Sequence, residues 1–196
     1  MIDETSYRNI IKGLKKNYKI KKTTKPVLKN FKILRIGPDF KINYAWSIDD
    51  LPLSCIVSLE NSYFARPAKP NNYDDGIERF KTFCCLVTSR HKFEDSLIRE
   101  REFGDKIIQI FKKGRFKIKG YDYLNMNYEV ESKEDLKFIN WIITYKVEDI
   151  FKKFPRLEIE FKGEELLIYI HEPLNDLIQI KRLIDINKIL KDRNAI

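Results

Sequence analysis

"LEIEFKGEELLIYI", residues 157–170, decides how the C-terminal third is read. Leu157, Ile159 and Phe161 alternate with Glu158, Glu160 and Lys162, the period of two expected of a strand with one buried face. Lys162–Gly163 then reads as the turn of a hairpin between this strand and the apolar run that follows. Helical patterns flank it. Upstream, Leu136, Ile139, Ile143, Val147, Ile150 and Phe154 form the core stripe of one helix over 132–154. Ser132 and Asp135 supply a capping box at its start, and Pro155 ends it. Downstream, a helix from Asn175 to Lys191 carries Leu177, Ile178, Ile180, Leu183, Ile184, Ile186, Ile189 and Leu190 around most of its axis. Such a helix is either deeply buried or shared with a second subunit, which opens a homodimer through the last helix.

Working outward, "FKINYAW" (40–46), "LSCIVSL" (53–59), "RFKTFCCLVTSR" (79–90), "RFKIKG" (115–120) and "NYEVES" (127–132) read as strands. Gly37–Pro38–Asp39 reads as a turn pairing 27–36 with 40–46, 65–76 as a loop, and 93–113 as helical. The N-terminus reads as a helix with Tyr7, Ile10, Ile11, Leu14 and Tyr18 on one stripe. The expected fold is α+β: an antiparallel or mixed sheet, flanking C-terminal helices and an N-terminal basic amphipathic helix. Residues 1–25 are the arm and 26–196 a single domain.

Across the C-terminal stretch, Tyr128, Val130, Ser132, Leu157, Ile159, Gly163, Leu166 and Ile168 resemble the pattern of a family of uncharacterised prokaryotic domains. Those domains carry a short strand, a capped helix, a hairpin and a closing helix. The resemblance covers about the last 80 residues, implies a non-enzymatic module and supplies no site residues.

Charge gives the functional lead. The chain carries a formal +9, and residues 1–41 hold twelve Lys and Arg against three acids. The remaining residues balance at 26 of each sign, so the whole excess is N-terminal. Arg8, Lys12, Lys15, Lys16, Lys19, Lys21 and Lys22 are the candidate anion-binding residues, suited to nucleic acid or an anionic membrane surface. The competing expectation is that the helix packs its apolar stripe on the body and leaves a solvated basic face. A second stripe, Phe138, Trp141 and Tyr145, is a partner patch if exposed and core if another element covers it.

Other chemistry fares worse. Cys84 and Cys85 stand about 20 Å along a strand from His91, too far to share an ion, and no C-x-x-C occurs. His171–Glu172–Pro173 lacks the second histidine of a zinc helix. Phosphate-cradling glycine motifs and nucleophile elbows are absent, so no metal or cofactor is expected. Glu160-x-Lys162 resembles the metal-binding strand of restriction-type nucleases, with Asp122 as the further carboxylate such Mg²⁺ chemistry needs. Three cysteines and no 18-residue apolar run point to a cytosolic protein without a transmembrane segment. The expected function is a non-enzymatic accessory or interaction module with a basic face for an anionic partner. The alternatives are a nucleic-acid-binding protein and a Mg²⁺-dependent nuclease.

Overall fold

The computed structural model describes residues 4–34, 40–64, 77–101, 117–171 and 176–196. It is α+β. Strands β1 (Ile20–Lys22), β2 (Lys41–Ile48), β3 (Leu51–Phe64), β4 (Ile77–Glu100), β5 (Tyr128–Glu131) and β6 (Leu157–Ile170) form one antiparallel sheet. Helices α1 (Glu4–Lys15), α2 (Asp122–Asn127), α3 (Asp135–Thr144), α4 (Val147–Lys153) and α5 (Asp176–Asp192) accompany it. β4 is the spine. β3 pairs with its first half, β5 with its last four residues, and β6 runs along the opposite edge.

The 157–170 stretch is therefore not a hairpin but one bent strand. A type I′ turn needs positive φ at both central residues, and of Lys162 and Gly163 only Gly163 has it, at +64°. Gly163 bends β6 instead, and β4 bends with it. Between Thr88↔Glu165 and Ser96↔Phe161, β4 runs through eight residues while β6 runs through four. The excess is a bulged stretch that ends near Asp95, where φ is +28°. After the bend, each strand has swapped which parity faces the helices. Leu157, Ile159 and Phe161 share the helix-side core with Leu166, Ile168 and Ile170.

Five other expectations change. Residues 93–100 are the end of β4 rather than a helix, because β5 and β6 pair with both its edges; 102–113 and the 65–76 loop lie outside the described residues. Of the strand expected over 27–36, residues 27–34 form none, while 35–39, with the Gly37–Pro38–Asp39 turn, lie outside the described residues. Leu28, Phe31, Ile33 and Leu34 bury themselves as an irregular strap over the second face of the sheet, closed by a 3₁₀ turn at Lys32–Leu34. Of the strand expected over 115–120, residues 117–120 are not one but lead into a turn before α2, and 115–116 lie outside the described residues. The 132–154 helix is two helices, broken where Lys146 takes a left-handed conformation (φ 47°, ψ 47°). Arg193 stabilises that break by donating to the carbonyls of Tyr145 and Lys146 at 3.0 and 2.6 Å. At the start of α3 the N-cap is Glu134 rather than Ser132, whose hydroxyl accepts the Glu134 N–H at 3.0 Å; the Asp135 side chain of the expected capping box lies outside the described ones.

The last helix finds its cover within the chain. Ile180, Leu183, Ile184, Ile186 and Leu190 are fully buried against the sheet. Its two buried amides both donate: Asn187 to Ser54 Oγ at 2.7 Å, and Gln179 to Thr82 Oγ1 and the Ile170 carbonyl. The apolar circumference that pointed to a homodimer is thus used internally, with Ile178 left exposed.

Candidate functional site

α1 docks on the body by the stripe the sequence shows. Ile10 and Leu14 are buried in the helix-side core, with Ile11 and Tyr18 packed at its margin; the Tyr7 side chain lies outside the described ones. Gly13 sits where α1 meets α5. A Cβ there would lie 3.1 Å from Leu177 Cδ2 and 3.3 Å from Cδ1. Its absence lets the two helices approach, although glycine weakens the isolated helix by about 1 kcal/mol. Gly13→Ala should therefore leave stability within about 0.5 kcal/mol of wild type, the propensity gain being offset by displacement of Leu177. Gly13→Leu should lower it by about 1–3 kcal/mol. Urea unfolding reads both, and an undocked arm would show no loss with either.

Docking leaves the other side of α1 in solvent. Arg8, Lys12, Lys15, Lys16, Lys19, Lys21 and Lys22 are all exposed. Arg8, Lys12, Lys15 and Lys16 surround an open depression beside Ile11. Lys12, Lys15, Lys16, Lys19 and Lys22 form no ion pair among the described residues, whereas Lys21 meets Asp49 at 3.2 Å. β1 holds Lys21 and Lys22 through the register Lys21↔Ser47 and Lys22↔Trp46. Lysines on an edge strand also discourage edge-to-edge pairing, so these two have a structural role as well.

The Glu-x-Lys strand is used differently from the nuclease expectation. Glu158 and Glu160 do share a face, but it is the strap-covered face, and both are almost fully buried. Glu158 accepts the Glu100 N–H at 3.1 Å. Glu160 accepts the Ile33 N–H at 2.9 Å through Oε2, and its Oε1 lies 3.4 Å from Lys162 Nζ. Burial raises the Glu160 carboxyl above its ordinary pKa, against the opposing pull of Ile33 and Lys162. Asp122 is not part of this group. It opens α2, whose Leu124 packs into the helix-side core. The carboxylate that joins Lys162 is Asp95, which also pairs with Lys133 at 2.9 Å. Two lysines thus neutralise Asp95 and Glu160. Among the described residues, no three His, Cys, Asp or Glu side chains converge as a metal site.

The hydrogen bonds from Lys162 and Lys133 pull the Asp95 pKa down to about 2. A depressed carboxylate stabilises the fold above its unfolded value of about 3.9, and that stability is lost as pH falls through about 2. Asp95→Asn should accordingly destabilise at pH 7 and converge on wild type by about pH 2, in paired denaturation curves across that range. A small cleft nearby is bordered by Lys32, Ile33, Leu97, Arg99, Glu131 and Glu158. Arg99 there meets Glu131 at 3.8 Å and the neighbouring Glu129 at 2.5 Å.

The aromatic stripe on α3 is core. Phe138 and Trp141 are buried, with Phe138 5.3 Å from Phe93 and 6.1 Å from Phe161 between ring centroids. The Trp141 indole donates to the Ala195 carbonyl at 2.9 Å, and Tyr145 is half-buried beside His91. The sheet covers the stripe, so it offers no free partner patch, and the helix turns Leu136 and Ile143 outward instead. Cys84 and Cys85 are buried free thiols, their pKa values raised by desolvation. Such thiols are inert small hydrophobes. Sequence reasoning missed the Ile33–Glu160 clasp and the Asp95–Lys162–Lys133 group, because no local signal joins residues so far apart. Comparison with protein-family models, curated proteins and solved structures finds no match.

Proposed function

We propose that the protein is a non-enzymatic interaction module of the cytosol whose basic N-terminal face binds the phosphate backbone of a nucleic acid. The observation that carries this reading is the docked state of α1: Ile10 and Leu14 are committed to the core while seven cations face solvent. An amphipathic helix holds a membrane by sinking its apolar face about 5–10 Å into the headgroup boundary, and here that face is occupied. Among the described residues no helix is long and apolar enough to cross a membrane. Six of the seven cations are lysines, which suit diffuse attraction to phosphates better than bidentate reading of bases. The free thiols agree with a reducing compartment.

The test is binding of the full chain to labelled duplex and single-stranded DNA and RNA at low and physiological salt. Anionic phosphatidylserine vesicles serve as competitor. The expected result is micromolar or tighter binding at low salt that vesicles do not displace. It should weaken at least 100-fold in a variant with Arg8, Lys12, Lys15 and Lys16 all changed to Gln. Equal binding by that variant, or displacement by vesicles, overturns the reading.

A further inference from the structure

α5 touches α1 and the segment that follows it. Leu177 lies against Gly13, and Lys188 Nζ sits 5.1 Å from the Tyr18 ring centroid. Leu177, Lys181, Ile184 and Lys188 fall at i, i+4, i+7 and i+11, one stripe of α5 spanning about 16 Å. The two contacts fix the relative direction of the elements, since the path from Gly13 to Tyr18 follows α5 from Leu177 to Lys188. On the α1 side, Lys16 comes one turn after Gly13. On the α5 side, Lys181 comes one turn after Leu177. Lys181 and Lys188 are both half-buried, and a lysine so placed lays its stem along apolar surface while its ammonium reaches water.

Resting on the nucleic-acid reading above, we infer that Lys181 and Lys188 of α5 are the second half of the phosphate-binding surface. It is then two helices wide and built from segments some 160 residues apart. α1 supplies Arg8, Lys12 and Lys15, the turn after it Lys16, and α5 extends the positive field past Tyr18. Its partner is a phosphodiester backbone broad enough to meet both helices, a duplex rather than a lone strand on α1. Asp185, on α5 beside Tyr18, opposes this field. It makes the surface self-limiting, so its removal should strengthen binding.

The test measures the dependence of the duplex-DNA association constant on salt for the full chain and for Lys181→Gln, the Lys181→Gln/Lys188→Gln double variant, Lys188→Arg and Asp185→Asn. Each lost phosphate contact should flatten the slope of log K against log[salt] by about 0.9. The single variant should thus lose about one unit of slope and the double variant about two. Lys188→Arg should retain the wild-type slope, and Asp185→Asn should tighten low-salt binding several-fold. Lys181→Gln leaves the Tyr18 contact untouched, so its result stands even if the double variant is poorly folded. A wild-type slope in Lys181→Gln and in a folded double variant, with binding still lost on neutralising α1, overturns this inference and leaves the nucleic-acid reading intact. Failure of the wild-type chain to bind duplex DNA at low salt overturns both.

Discussion

Phe138→Ala should destabilise the protein by about 3–5 kcal/mol, while Leu136→Ala, two residues away on the same helix, should change stability by less than about 0.5 kcal/mol. Phe138 has no exposed surface and lies among Phe93, Trp141 and Phe161. Truncating it removes the transfer energy of a ring and leaves a cavity that close-packed neighbours fill only in part. Leu136 is 79% exposed, so there is little to lose. Reading α3 by its aliphatic stripe leads to the opposite ranking. A domain of this size has a net stability of about 5–15 kcal/mol, so the Phe138 change alone approaches global unfolding. Guanidinium midpoints for the two variants rank them directly.

Glu160→Ala should cost about 1–3 kcal/mol at neutral pH, and Glu160→Gln about 1 kcal/mol or less. Alanine leaves the buried Ile33 amide without its acceptor and takes from Lys162 one of its two carboxylate partners. Glutamine keeps an acceptor for Ile33 while removing a charge that burial disfavours. The two variants separate hydrogen bonding from charge. Their pH dependence carries a second sign. Because the folded Glu160 pKa is raised, its contribution is most favourable below its unfolded value of about 4.3 and is lost as pH rises through the folded value. Wild type should therefore lose stability relative to Glu160→Gln over that interval, the reverse of the Asp95 behaviour. Equal stability of the Ala and Gln variants at pH 7 would remove Ile33–Glu160 as the clasp of the strap.

Local patterns were legible where one partner is enough to stabilise them. β2, β3, β5, the last helix and the basic N-terminal helix all follow from periodicity, since each has a single dominant buried face or is buried nearly all round. The errors cluster where a long-range partner overrides a local signal. Lys162–Gly163 looks like a turn, but β4 is available along the whole of 157–170, so the strand bends rather than folding back. Phe93, Leu97 and Ile98 are spaced much as a helix would have them, yet β5 and β6 capture both edges of that segment. The stripe from Leu136 to Phe154 is regular, but Phe138, Trp141 and Ile142 bury more apolar area than Leu136, Ile139 and Ile143. α3 turns that side inward, and the break at Lys146 restores Val147, Ile150 and Phe154 to the core.

The candidate site divides the same way. The run of cations is contiguous in sequence and so visible at once. Its extension to Lys181 and Lys188, and the pairing of Lys162 with Asp95 rather than Asp122, depend on how distant elements pack.

Binding of nucleic-acid phosphates by the docked, lysine-rich face has a signature in its salt dependence. The most direct measurement is the association constant of the wild-type chain for a mixed-sequence DNA duplex between about 50 and 200 mM salt. If four to six cations engage phosphates, the slope of log K against log[salt] should lie between about −3.6 and −5.4, with no dependence on base sequence. A slope near zero, or no binding at the lowest salt, would rule out phosphate binding and leave the N-terminal charge an ordinary solvated face.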